Sequence, residues 1–279
     1  MNKSNWISFE AEFIIVDNNE NVMNYYNWVQ TSEYVMNLLE RKYSKNIIKN
    51  MIWRELDASQ IEIRNWWAKY SIQDAQSELI DLYEMVYDIV YNEMWLFFLN
   101  WSVPNQNFDA VVSWWVEKYS KIDSLLRSIG DNYRKATNIW GIHFHIDTDN
   151  NFDRHVFLSN AISEIYNKDK SLLLLSDKRH EMVSLVIEAL LKLEFLDPKE
   201  LISELDPINF SGIIWLTKSD IKNILLDWDN PRFSYNYVWL KKPWISYTTE
   251  IRTVDGVWNR EDLILNTTKI YNLVNDILW

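Results

Sequence analysis

The sequence predicts an α+β fold, an antiparallel sheet with helices packed on one of its faces, and three observations lead there. Short segments of strict apolar and polar alternation are scattered among helical patterns of unequal length. No glycine-rich turn follows any strand segment. Neither a P-loop nor a G-x-G-x-x-G run is present, which argues against a doubly wound parallel sheet. No repeat, low-complexity tract or Pro- or Ser-rich linker divides the 279 residues, so one domain spanning 1–279 is expected.

In chain order, the first strand is expected at Ile7–Val16, where Phe9, Ala11 and Phe13 alternate with Ser8, Glu10 and Glu12. A second follows at Gln60–Arg64, with Ile61 and Ile63 between Gln60, Glu62 and Arg64. Ile72–Phe98 is apolar at three- and four-residue spacing and begins behind Ser71, a good N-cap, so it reads as a long helix. Phe108–Ile129 has a similar helical pattern. Gly141–Asp147 alternates Ile142, Phe144 and Ile146 with His143, His145 and Asp147. Helical stripes at Arg154–Tyr166 and Glu181–Phe195 precede strands at Gly212–Leu216 and Ser246–Val254, and Arg260–Leu278 closes the chain as a helix.

Composition narrows the function classes. With 48% hydrophobic and 24% charged residues the chain is an ordinary globular protein. A net charge of −12 argues against wrapping nucleic acid or lying on anionic lipid. No apolar run has the length of a membrane span, and Met1-Asn2-Lys3-Ser4-Asn5 leads into no signal-peptide stretch, so a cytoplasmic protein is expected. The absence of cysteine removes disulfides, thiolate metal sites and cysteine nucleophiles.

One pair of counts is abnormal: 4 glycines against 16 tryptophans, where average usage would give about 20 glycines. The tryptophans also stand where glycines belong. Asn5-Trp6, Asn27-Trp28, Asn65-Trp66, Asn100-Trp101, Asp227-Trp228 and Pro243-Trp244 all read as turn dipeptides once the second residue is glycine. This is the pattern expected of a gene from a lineage that reads UGA as glycine, translated with UGA as tryptophan. The alternative is a genuinely tryptophan-rich protein. Trp28, Trp66, Trp101, Trp228 and Trp258 are the sharpest cases, expected in exposed loops and often at positive φ. Trp6, Trp140 and Trp244 are expected to crowd strand ends unless they too are glycines.

Four strand segments share one property: one face is apolar and the other carries functional groups. Side chains two apart on a strand point the same way. Pairing these strands therefore gathers Glu10, Glu12, Glu62, Glu250, His143, His145, Arg64 and Arg252 on one surface. A merely solvated sheet face would carry mostly Lys, Thr and Ser. This one has no lysine, and its acids would repel unless a cation sits among them. Hard divalent cations bind through carboxylate oxygens together with substrate phosphates.

At these residues the sequence resembles a family. Ser8-Phe9-Glu10-Ala11-Glu12-Phe13 resembles the G-x-E-x-E-F opening of glutamate–cysteine ligases and related carboxylate–amine ligases. Glu55-Leu56-Asp57-Ala58-Ser59-Gln60-Ile61-Glu62-Ile63 looks like their second acidic motif, with two acids seven residues apart. Trp140-Gly141-Ile142-His143-Phe144-His145 looks like their G-x-H-x-H strand, and Thr249-Glu250-Ile251-Arg252-Thr253-Val254-Asp255 like their closing E-x-R-x-x-D strand. The order is kept from residue 7 to 255. Reading Trp95 and Trp101 as glycine brings Trp95–Pro104 closer to the family's glycine-containing segment before its proline.

The resemblance implies a glutamine synthetase/guanido kinase-like fold, whose antiparallel sheet offers a concave face as the active site. It implies a reaction in which ATP phosphorylates a carboxylate and an amine displaces the phosphate, with Mg²⁺ or Mn²⁺ as cofactor and amino acids as substrates. By position, Glu10, Glu12, Glu55, Glu62 and Glu250 are the implied metal ligands. His143 would contact metal or phosphate, and Arg252 would clamp the transferring phosphoryl group. Gln60 and His145 share the face as cofactor-binding candidates. Two alternatives use the same residues: a metallohydrolase built on the His143-x-His145 pair, and a non-catalytic member that binds nucleotide.

Overall fold

A computed structural model of the protein describes residues 6–55, 57–66, 68–99, 111–113, 123–124, 127–128, 130, 140–147, 152–174, 238–241, 248–257 and 259–278. The alternating apolar residues of the first segment make β1 (Ile7–Val16) the spine of the structure. A two-residue hairpin follows, β2 (Tyr25–Tyr26) and β3 (Val29–Gln30), then α1 (Thr31–Lys42), α2 (Lys45–Met51), β4 (Ile52–Arg54) and β5 (Gln60–Arg64). Next come α3 (Ile72–Tyr87), a π-helical turn (Asp88–Glu93), β6 (Phe97–Phe98) and β7 (Gly141–Asp147). The remaining described elements are α4 (Phe152–Asp169), a 3-10 turn (Lys170–Leu173), β8 (Val238–Lys241), β9 (Thr248–Asp255) and α5 (Arg260–Leu278).

The sheet runs β4-β5-β1-β7-β9-β8, antiparallel at every described pairing, with β6 added to the end of β1. This is the α+β architecture with an antiparallel sheet that the sequence predicts. One face is wholly apolar. Phe9, Ala11 and Phe13 of β1, Ile61 and Ile63 of β5, Ile142, Phe144 and Ile146 of β7, and Ile251 of β9 are buried in one cluster. The helices close that cluster with Ala75, Leu79, Leu82 and Val86 from α3, Leu158 and Ile162 from α4, and Leu263, Ile270 and Val274 from α5. Each fully buried aliphatic side chain contributes roughly 1.5–3 kcal/mol, so this face is where the sheet is held.

Three strand expectations match their observed limits: Ile7–Val16, Gln60–Arg64 and Gly141–Asp147. Ser71 caps α3 as expected, its hydroxyl accepting from the Asp74 N–H at 3.1 Å. The helix expected to continue to Phe98 stops earlier. Its last turn widens at Asp88–Glu93, Trp95 takes φ 59°, and Phe97–Phe98 pair with Ile15–Val16 instead. Thr31–Met51 holds α1 and α2, which are not among the expected elements although Tyr34, Val35, Leu38 and Leu39 recur at helical spacing. The strand expected at Gly212–Leu216 and the helix at Glu181–Phe195 lie outside the described residues, as does most of Phe108–Ile129. No described helix is long and apolar enough to cross a membrane.

Candidate functional site

The face opposite the helices gathers the polar half of each alternating strand. Register sets the neighbours. Glu12 of β1 stands beside Glu62 of β5, Glu10 beside His143 of β7, and His145 beside Glu250 of β9. Between Ile142↔Val254 and Phe144↔Ile251 the ladder slips, so Arg252 and Thr253 together oppose His143. This is a β-bulge, the device that re-aims a side chain at a sheet's working surface. It turns Val254 into the apolar core and leaves Arg252 with the acids, its Nε 3.2 Å from Glu250 Oε1.

Two groups of potential ligand atoms result. Glu10, His145 and Glu250 offer oxygens and a ring nitrogen within 4.8 Å of one another, and Glu12, Glu55 and Glu62 offer three carboxylate oxygens within the same distance. Glu10 and Glu250 thus share one face and one neighbourhood, as the sequence requires. His143 sits against both groups: Nδ1 is 3.3 Å from Glu10 Oε2 and 3.4 Å from Glu250 Oε1, and Nε2 is 3.9 Å from Glu12 Oε2. His145 Nε2 lies 3.4 Å from Glu10 Oε2. The Gly141 N–H donates to Glu12 Oε2 at 3.1 Å, tying that carboxylate to the start of β7.

Burial gives these groups unusual electrostatics. Desolvation, and then the charges of Glu10, Glu55 and Glu12, push the Glu62 carboxyl well above its ordinary range, with Arg64 opposing. Burial and the neighbouring Arg252 charge pull His143 down to about 4 against the attraction of Glu10 and Glu250, so the ring is neutral at pH 7. Its contact with Glu10 is therefore the hydrogen bond of a neutral imidazole. With Nδ1–H given to a carboxylate, Nε2 keeps a lone pair facing Glu12. Burial lowers Arg252, but the fields of Glu250, Glu12, Glu10 and Glu55 outweigh it and raise its pKa. The donor set is therefore oxygen-rich, crowded with negative charge and equipped with one fixed guanidinium. That chemistry fits hard divalent cations among the carboxylates and an anion on the arginine.

The structure places Glu10, Glu12, Glu55, Glu62, Glu250, His143, His145 and Arg252 together. Glu55 arrives from the loop between β4 and β5, held by its carbonyl accepting from Ser113 Oγ at 2.6 Å. Gln60 shares the face but spends its side-chain oxygen on the Asp57 N–H at 3.4 Å, closing the turn into β5. Two groups received no role from the sequence. Asp57 is fully buried, accepts from both the N–H and the hydroxyl of Ser59, and is raised to about 6 by desolvation. Its Asp-x-Ser spacing is an Asx-turn signal that could have found it. His155 of α4 is buried beneath β9, with Nδ1 2.8 Å from Thr249 Oγ1, one residue from Glu250. A lone histidine in a helical stripe carries no such signal.

Of the tryptophans near the site, Trp140 is fully buried with Ile14, Val16 and Leu99 in a small second cluster. It does crowd its surroundings: a Cβ built on Gly256 would meet its Cδ1 at 2.5 Å. Trp6 is 42% exposed and stacks edge-on with Tyr70. Trp244 lies outside the described residues.

No protein-family model matches the chain, and no curated protein matches it in sequence. Solved structures do match in shape. A bifunctional glutathione synthetase from Pasteurella multocida superposes with a TM-score of 0.54 at 14% identity, over 99% of this chain and 38% of that one. Glutamate–cysteine ligase from Francisella tularensis, solved in complex with AMP, gives 0.51 at 13% identity, over 99% of this chain and 70% of that one. The chain thus spans less than half the length of the first of these proteins. At such identities the likeness is one of fold: the chain has the fold of these synthetase and ligase structures, an α+β arrangement around an antiparallel sheet.

Proposed function

We propose that the chain is an ATP- and Mg²⁺-dependent carboxylate–amine ligase, most simply of the glutamate–cysteine kind, acting on amino acids in the cytoplasm. In this reading the acid-lined face is the concave active-site surface of a glutamine synthetase-like fold. The observation that supports it best is the pair of ligand groups, Glu10/His145/Glu250 and Glu12/Glu55/Glu62, on one sheet face beside Arg252. Fold likeness to a glutathione synthetase and a glutamate–cysteine ligase points the same way.

In the proposed reaction a substrate carboxylate oxygen attacks the γ-phosphorus of ATP and the bond to ADP breaks. The amine nitrogen then attacks the acyl carbon, phosphate leaves, and the amine's proton is lost. Phosphoryl transfer asks a protein mainly for positioning and for charge neutralisation. Divalent cations, once bound, would supply the second. The five glutamates would hold them. His143, neutral at pH 7, offers its nitrogens without adding a competing positive charge. Arg252 presents a fixed fork of donors to the transferring phosphoryl group, kept charged by Glu250, Glu12, Glu10 and Glu55.

The two groups hold five carboxylates and one imidazole, a donor set for hard cations rather than for the transition metal of a hydrolase built on the His143/His145 pair. The test is phosphate release from Mg·ATP screened across amino-acid pairs. Release that requires an amino acid, followed by amide formation, is expected. Release indifferent to amino acids, or Mg·ATP binding with no turnover on any pair, would overturn the ligase reading.

A further inference from the structure

Two described tryptophans occupy backbone positions that select glycine. Asn27 and Trp28 form the two-residue loop between β2 and β3, whose flanking pair is Tyr26↔Val29. Both loop residues have positive φ, 49° and 68°. Positive φ at both centres marks the type I′ hairpin turn, for which Asn-Gly is the strongest sequence signal. Trp28 gains nothing in return, since its side chain is 100% exposed. Trp95 stands one residue past the C-cap Met94 of the helical run that starts at α3, with φ 59° and 82% exposure. Beyond it the Leu96 N–H reaches back to the Val90 carbonyl at 2.9 Å and the Leu96 side chain is buried. This is a left-handed helix cap with its hydrophobic contact, where glycine is the usual residue.

Trp53 provides the contrast. It lies within β4, carries no positive φ, and has the Arg64 guanidinium 4.3 Å from its ring centroid. Trp66 also lacks positive φ and is 37% exposed, so its backbone tolerates any residue. Trp101, Trp228 and Trp258 lie outside the described residues.

We propose that residues 28 and 95 are glycine in the protein as its own organism makes it, their codons being UGA read as glycine. The scarcity of glycine, 4 against 16 tryptophans, is the same substitution seen across the chain. Two turns of this fold are built by residues that cannot follow left-handed backbone without strain. The inference stands apart from the enzymatic reading, because it rests on hairpin and cap geometry away from the acidic face.

Two measurements test it. The gene's codons 28 and 95 should be UGA, and peptides spanning these positions from the native host should carry glycine's mass. UGG at either codon, or tryptophan's mass in the native peptides, overturns the proposal. In the recombinant chain, Trp28→Gly and Trp95→Gly should each raise the melting temperature by about 2–4 °C. Trp53→Gly should lower it. A fall in melting temperature at residue 28 or 95 would equally overturn the proposal.

Discussion

The two ends of the acidic face solve the same electrostatic problem differently. Toward β9, Glu10 and Glu250 stand beside His143 and His145, and the Arg252 guanidinium answers Glu250 directly. Toward β5, Glu12, Glu55 and Glu62 stand together, and Arg64, the cation that opposes Glu62's raised pKa, has its guanidinium over the Trp53 ring. The first end has a guanidinium in contact; at the second, like charges add to desolvation in raising Glu62. In the proposed function a bound cation would relieve that crowding.

The largest expected effect tests the end toward β9. Arg252→Lys keeps the charge and loses the fork, and it should cut ligase turnover on the order of a thousandfold. Steady-state kinetics decide it, and near-normal turnover would remove Arg252 from the reaction.

Next, glutamine substitutions at the two ends should act oppositely on the metal-free protein. Glu250→Gln strips Arg252 of its nearest counter-charge and should cost about 2 kcal/mol, discounted because Arg252 keeps 23% exposure. Glu62→Gln removes a buried carboxyl whose ionisation desolvation and its acidic neighbours oppose, so it should raise the melting temperature at pH 7. It should also weaken Mg²⁺ affinity by on the order of a hundredfold. Equal shifts for the two variants in calorimetry would erase the distinction between the ends.

Acid sharpens the contrast. Asp57, in the turn between β4 and β5, has its folded pKa raised from 3.8 to about 6. Its contribution is therefore present below pH 3.8 and is lost as pH rises through 6, a change of up to about 3 kcal/mol. His143 and His155, lowered from 6.5 to about 4, act in the other direction: the unfolded state binds more protons between pH 4 and 6.5, so stability rises with pH. Asp57→Asn should therefore steepen the rise of stability between pH 4 and 6, measured by urea unfolding across that window. An unchanged slope would mean that Asp57 titrates normally.

The smallest effect serves as the control. Ser71→Ala removes a helix cap away from both ends and should cost about 1 kcal/mol. The Mg²⁺-induced rise in melting temperature should be the same as in the parent chain. A changed metal response would show that the site is sensitive to stability lost anywhere.

Much of the site was legible from alternation alone. Period-2 patterning put Glu10 with Glu12, Gln60 with Glu62, and His143 with His145, and the structure keeps each pair on the predicted face. Helix capping at Ser71 was equally local and equally clear. α1 was legible as well, from Tyr34, Val35, Leu38 and Leu39 at helical spacing, though it is not among the expected elements. What stayed hidden lacked local pattern. The end of α3 depended on Trp95, whose residue type gives no sign of a left-handed cap.

The sequence by itself determined which face of each strand is apolar and which carries chemistry, because side-chain direction alternates with a fixed period of two. It also showed the scarcity of glycine, 4 residues beside 16 tryptophans. Only the tertiary structure decided strand order, and so which acids became neighbours. Glu12 meets Glu62, and His145 meets Glu250, through pairings 50 and more residues apart that no local pattern encodes. The bulge opposite His143 is likewise a tertiary decision: strict alternation would put Thr253 on the apolar face with Ile251, whereas the observed slip puts Val254 there and keeps Arg252 among the acids. The physical reason is that register is set by what two strands bury together, and that is a property of the pair.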